Sequence, residues 1–260
     1  MQLLGFFDRV VVINLPERTD RRAGVERELQ RLGLARHADK VRFFAAVKPA
    51  DPGDFPSRGA RGCFESHLAV LRQARADGLS NILIVEDDFA SSSQLERLQS
   101  RLLAQLARTP WDMVAFGHDL PASDHEPTLV PPPASYGLTH CYAVNATSFD
   151  ALIAFLEVMR TRPPGHPQGG PMHYDGALDT FRMQHAERSF LVALPSVAGQ
   201  RSSRSDINPS RLDRIPMLRG AMELARAGLR FARQQLRGAR KQAHTLAAGQ
   251  SVHPSIFPPP

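Results

Sequence analysis

Residues 80–93 read SNILIVEDDFASSS, so four aliphatic residues, Ile82 to Val85, run straight into Glu86, Asp87 and Asp88. Adjacent carboxylates repel and raise one another's pKa, so the triplet needs water, a cation or a positive ligand group beside it. Hard divalent cations such as Mg2+ and Mn2+ prefer carboxylate oxygens and bridge them to substrate phosphates, which makes a diphosphate-bearing substrate the chemistry this triplet suits. A solvated strand end, or a helix cap in which Asp complements the helix dipole, fits the same three residues.

Other residue types of matching chemistry are scattered along the chain. In NLPERTDRR, Arg18, Arg21 and Arg22 follow an apolar run, where guanidinium groups can pair with phosphate. A charged helix start is the alternative, although the helix dipole disfavours Arg there. His67 follows Ser66 on a predicted helix and is either a hydrogen-bonded structural histidine or a site residue. Asp175, in HYDGALDTF, is a candidate general base, with Asp179 one turn later as the alternate, and a helix cap is the competing role for Asp175. Gln200, Arg201 and the run Ser202 to Ser205 offer hydrogen-bonding groups, as an ordinary surface loop also does. The two cysteines, Cys63 and Cys141, are far apart and lack partner pairs, so the spacing supports neither a disulfide framework nor a zinc site. Both are expected to be small buried apolar side chains.

These residues need a scaffold, and hydrophobic periodicity supplies one. RVVVINL (9–15) reads as a buried strand, and TDRRAGVERELQRLGL as a helix with Val25, Leu29 and Leu32 on one face. VRFFAAV (41–47) is a second strand, followed by a Pro/Gly-rich loop. Cys63, His67, Val70, Leu71 and Ala74 mark a helix face before the strand NILIV. A helix over about 94–107, a strand in WDMVAFG, a strand in THCYAVN with the helix ATSFDALIAFLEVM, and a last strand SFLVALP complete the pattern. The loop 160–181 is too rich in Pro and Gly for regular structure until about Asp175, and SVAGQRSSRSDINPS resembles neither helix nor strand. Alternating strands and helices predict an α/β fold with a mainly parallel sheet flanked by helices. Ligands of such sheets sit beyond the carboxyl ends of the strands, where Glu86 to Asp88 should fall.

At 260 residues and 42% apolar composition the chain can build one sizeable core with an appendage. No apolar run approaches the roughly 18 residues that cross a bilayer, and MQLLGFFDRVVVINL has neither a basic leader nor a cleavage site, so a cytoplasmic location is expected. The net charge of +6 is concentrated: residues 211–241 carry nine basic and two acidic residues, leaving the remainder near −1. Nucleic acid is therefore not expected as a partner, because the basic residues do not spread over the domain and Phe231 alone interrupts the basic stretch with an aromatic. From residue 216, Leu218, Met222, Ala225, Leu229, Ala232 and Leu236 alternate with an arginine face. This predicts a basic amphipathic helix over 216–245 that suits the anionic inner face of the cytoplasmic membrane, the catalytic domain or a second subunit. Residues 1–215 form the predicted catalytic domain, and 246–260 are expected to be disordered.

Taken in order, VINLPERTDRR, GCFESHLAVLRQA, ILIVEDD, YAVNATSFDALI, YDGALD and PSVAGQRSSRSDI resemble glycosyltransferase family 25, the lipooligosaccharide galactosyltransferase-like group, over about residues 10–208. The resemblance implies a GT-A type, Rossmann-like nucleotide-sugar fold and transfer from a UDP-sugar, often UDP-galactose, to a glycan or lipid-linked glycan acceptor. It also implies a divalent metal, Mn2+ or Mg2+, at Asp87 and Asp88 with Glu86, and a nucleotide beside Asn14, Arg18 and Arg22. Gly62, Cys63, Ser66 and His67 would belong to the family's Gly-Cys-x-x-Ser-His helix, Asp175 to the acidic position after the variable loop, and Gln200, Ser205 and Asp206 to the terminal polar motif. Inverting chemistry would need a carboxylate to take the acceptor's proton. Another nucleotide-sugar donor, or a non-catalytic glycan- or nucleotide-binding protein on the same fold, remain the alternatives.

Overall fold

The computed structural model describes residues 2–92, 95–118, 120, 128–132 and 140–201. The elements, in order, are α1 (Leu3–Phe6), β1 (Arg9–Asn14), α2 (Thr19–Arg31), a 3-10 turn (Leu34–Arg36), β2 (Val41–Ala45), α3 (Arg58–Ala76), β3 (Asn81–Glu86) and β4 (Phe89–Ser91). They continue with α4 (Leu95–Leu106), β5 (Met113–Ala115), β6 (Thr128–Val130), β7 (Cys141–Asn145), α5 (Ala146–Met159), α6 (Tyr174–Gln184), β8 (Phe190–Leu194) and β9 (Ala198–Gln200). Seven strands form one sheet in the order β2-β1-β3-β7-β5-β8-β6, while β4 and β9 pair separately.

The period-2 alternation of the central strands explains the layering. Val10, Val12, Leu83 and Val85 face the cluster that takes in α1, α2 and α4, whereas Val11, Ile13, Ile82 and Ile84 face the one that takes in α3, α5 and α6. Helices thus cover both faces, and each fully buried Leu or Phe contributes about 2–3 kcal/mol. Local chemistry sets the helix starts: Ser57 Oγ accepts from Ala60 N to cap α3, and Asn145 Oδ1 accepts from Thr147 N to cap α5.

Two features differ from the sequence reading. The sheet is mainly parallel, as expected, but two of its strands oppose that direction: β1, β2 and β3 pair in parallel, as do β5 and β8, whereas β7 runs antiparallel to both β3 and β5, and β6 antiparallel to β8. Strand direction is not encoded in an apolar run, so THCYAVN followed by a helix looks like any other parallel unit. Because Asn145 lies opposite Asn81, α5 begins at the edge remote from Glu86 and returns toward it, where Arg160, just past its end, pairs with Glu65 at 3.1 Å. Secondly, the segment read as neither helix nor strand contains β9, which pairs antiparallel with β4 through Phe89–Gln200, Ala90–Gly199 and Ser91–Ala198. The predicted tail helix, residues 216–245, and the boundary at 215 lie outside the described residues.

Candidate functional site

The site is built where β1 and β3 end side by side. Their parallel register sets Ile13 against Glu86, which brings Asn14 beside the turn formed by Asp87 and Asp88. Asn14 Nδ2 donates to Asp87 Oδ2 at 2.8 Å, and Arg21 Nη1, from the first turn of α2, donates to Asp87 Oδ1 at 2.8 Å. Asp87 is buried, 7% exposed, so both of its oxygens are satisfied by groups of the protein itself.

Asp88 is treated differently. Its Oδ1 is buried and has no hydrogen-bond partner among the described residues, and Arg21 stands 4.0 Å from its Oδ2. Burial, followed by the charge of Glu86, pushes its carboxyl up to about 7 against the opposing pull of Arg21. A bare, desolvated carboxylate oxygen that feels the charges of two further carboxylates, Glu86 and Asp87, fits a hard divalent cation. Asp88 Oδ1 is the natural first ligand for one, and Asp87 retains a lone pair on each oxygen beyond the bonds it accepts.

The helix carrying Gly62-Cys63-x-x-Ser66-His67 forms the second wall. A Cβ on Gly62 would come within 2.6 Å of Val47 O, so only glycine lets the loop after β2 pass this close. Ser66 Oγ accepts from Val47 N at 2.8 Å and donates to Gly62 O at 2.6 Å, pinning that loop to α3. Ser66→Ala should leave Val47 N–H without its acceptor, lowering stability by about 1–2 kcal/mol and Tm by about 2–8 °C in a calorimetric scan. One turn along, His67 is fully buried and stacked on Tyr174 at 4.0 Å between ring centroids. Its Nδ1 lies 2.8 Å from Tyr142 Oη, which lies 2.9 Å from Tyr174 Oη, while Nε2 faces Glu86 Oε1 at 3.4 Å. Burial opposes ionisation of Glu86, but His67, together with the charges of His140 and Arg21, outweighs it and holds the carboxyl below the usual range. His140 also faces this end of β3, its carbonyl accepting from Glu86 N at 3.0 Å.

The other predicted site residues are placed as follows. Arg18 pairs with Asp20, and Arg22 pairs with Glu26 while lying 4.1 Å above the Phe43 ring; of the three arginines, Arg21 is the one that meets Asp87. Asp175 opens α6, its Oδ1 accepting from Gly176 N at 2.8 Å. Burial raises the Cys63 thiol first, and the charges of Glu86, Asp175 and Asp88 raise it further, which places Asp175 within electrostatic reach of the triplet's surroundings. Asp179 is paired with Arg182 at 3.4 Å. Gln200 is exposed on β9 opposite Phe89, and the next residue, Arg201, donates its backbone N–H to Asp88 O at 2.6 Å. Ser205 and Asp206 lie outside the described residues. The sequence reading missed Tyr142 as a site residue; its OH is fixed by partners on two other elements, and its position in an apolar strand gave no signal.

Comparison with known proteins adds relatives and a fold. The chain is 29% identical over 183 residues to the inactive glycosyltransferase 25 family member 3 of Homo sapiens, covering 60% of this chain and 30% of that protein. It is 30% identical over 131 residues to the probable inactive member 3 of Rattus norvegicus, covering 43% and 23%, and 27% identical over 183 residues to that of Bos taurus. The chain therefore spans less than a third of the length of these relatives. No family model matches it. In fold it resembles a solved glycosyltransferase involved in glycosylation of the major capsid of PBCV-1, with a TM-score of 0.50, 9% identity, and coverage of 76% of this chain and 93% of that one.

Proposed function

We propose that this chain is a family 25-like glycosyltransferase of GT-A type that transfers a sugar, galactose in the first instance, from a UDP-sugar to a glycan acceptor such as lipooligosaccharide. The observation that carries the reading is Asp88: a desolvated carboxylate with a bare oxygen, beside the Arg21–Asp87–Asn14 clamp, at the edge where an α/β sheet binds ligands. Similarity to glycosyltransferase 25 family members supports the same reading.

The chain's own groups divide the work. Asn14 and Arg21 fix Asp87, so the turn carrying Asp88 is held in one geometry before substrate arrives. A Mg2+ or Mn2+ ion bound by Asp88 and Asp87 would supply Lewis-acid neutralisation of the leaving diphosphate. Asp175, at the start of α6 after the loop 160–173, takes the proton from the attacking acceptor hydroxyl in an inverting displacement. An acceptor displayed on the inner face of the cytoplasmic membrane suits a basic C-terminal helix over 216–245.

The test is release of UDP by the purified chain across a set of UDP-sugars, with and without Mn2+, with acceptor glycans supplied. One donor should turn over in a metal-dependent manner. Asp175→Asn should reduce transfer by about 100-fold or more while leaving donor affinity within about twofold; near-normal turnover would remove Asp175 from the chemistry. A second reading, a non-catalytic nucleotide-sugar-binding protein, is favoured by the commitment of both Asp87 oxygens to Arg21 and Asn14 and by the names of the relatives, which call them inactive. Metal-dependent UDP-sugar binding without turnover on any acceptor would select it.

A further inference from the structure

Cys63 and His67 stand four residues apart on α3, which puts them on one face of the helix, and Glu86 ends the strand they pack against. One ligand atom from each, the Cys63 Sγ, a His67 ring nitrogen and a Glu86 carboxylate oxygen, lies within 4.8 Å of the other two. We propose that these three residues form a transition-metal site of the zinc class, separate from any hard-cation site at Asp88, with a coordination position left for water or a substrate oxygen.

Four observations support it. The His67 Nε2 to Glu86 Oε1 separation of 3.4 Å is long for a hydrogen bond, but ligand atoms bound about 2.0–2.1 Å from a tetrahedral ion stand about 3.3–3.4 Å apart. His67 is oriented as metal-binding histidines are: its other nitrogen, Nδ1, is engaged by Tyr142 Oη at 2.8 Å, and Tyr174 backs both, so Nε2 is aimed at Glu86 without further ordering. The donor set of one sulfur, one imidazole nitrogen and one carboxylate oxygen selects a borderline cation such as Zn2+ over Mg2+ or Ca2+. Finally, the charges of Glu86, Asp175 and Asp88 all bear on the Cys63 sulfur, so a cation there relieves a concentration of negative charge. Three protein ligands with an open position is the arrangement of catalytic rather than structural zinc.

The experiment uses the full chain, stripped of metal and titrated with Co2+ as a spectroscopic stand-in for Zn2+. A single equivalent should produce sulfur-to-cobalt charge-transfer absorption that Zn2+ abolishes and excess Mg2+ does not. Cys63→Ser should lose the band, Asp88→Asn should retain it, and Glu86→Gln, which keeps the thiol, should weaken Co2+ binding by about tenfold or more. Absence of the band in the native chain, or its persistence in Cys63→Ser, overturns the proposal. Should Cys63→Ser not fold by circular dichroism, unchanged Co2+ affinity in Glu86→Gln overturns it instead.

Discussion

Asp88→Asn should make the metal-free protein more stable at neutral pH and cost it donor-dependent turnover. The carboxyl of Asp88 sits at about 7 in the folded chain and near 3.9 when unfolded. Below about pH 4 both states hold the proton and the residue is neutral in its effect. As pH rises from there toward 7 the unfolded state releases its proton first, so native stability attributable to this group falls across that window and is fully lost above it. Asparagine mimics the protonated form and escapes the loss. The variant should therefore match the native chain near pH 4 and exceed it by an amount on the order of 3 kcal/mol by pH 7–8, a rise in Tm of about 6–12 °C. The same variant, assayed with the preferred UDP-sugar and Mn2+, should lose activity by about 100-fold or more, because it no longer offers a charged oxygen. A variant destabilised at pH 8 would mean that Asp88 is held by a compensating charge; one that keeps full turnover would remove it from the donor site.

Arg21→Met should act in the opposite direction. Arg21 and Asp87 form a 2.8 Å pair with side-chain exposures of 13% and 9%, so removing the guanidinium leaves a buried carboxylate whose remaining partner is Asn14. Breaking such a pair costs about 3–5 kcal/mol, because the surviving charge keeps its desolvation penalty. Tm should fall by about 6–20 °C. The double variant Arg21→Met with Asp87→Asn should recover most of that loss, since it removes both charges together. Urea unfolding of the four proteins of this cycle gives the coupling; a double variant no more stable than Arg21→Met would show that Arg21 stabilises through packing alone.

How much of this was legible depends on the range of the interaction that decides it. The acidic triplet stood out because three like charges after an apolar run contradict local stability, and its place at a strand's carboxyl end follows from local pattern. Which arginine serves the triplet did not follow. Arg18, Arg21 and Arg22 lie within about one helical turn, and only the approach of β3 to α2 selects Arg21, leaving Arg22 to Glu26 and Phe43. The antiparallel course of β7 and the pairing of β4 with β9 were hidden for a related reason. Their partners are distant in sequence, and three-residue strands such as Ala198–Gln200 are too short to show a period. The search for cysteine pairs set aside Cys63, whose grouping with His67 and Glu86 appears only when a helix and a strand are packed together.

The ribbon of β4 and β9 bears on how the chain can be handled. Arg201 is hydrogen-bonded through its backbone to Asp88, and its side chain reaches Glu28, 3.4 Å away on α2. Arg201, the last of the described residues, therefore lies against the acidic turn itself. A fluorophore, affinity handle or surface attachment introduced at Arg201 would report on, and disturb, the turn that carries Asp88.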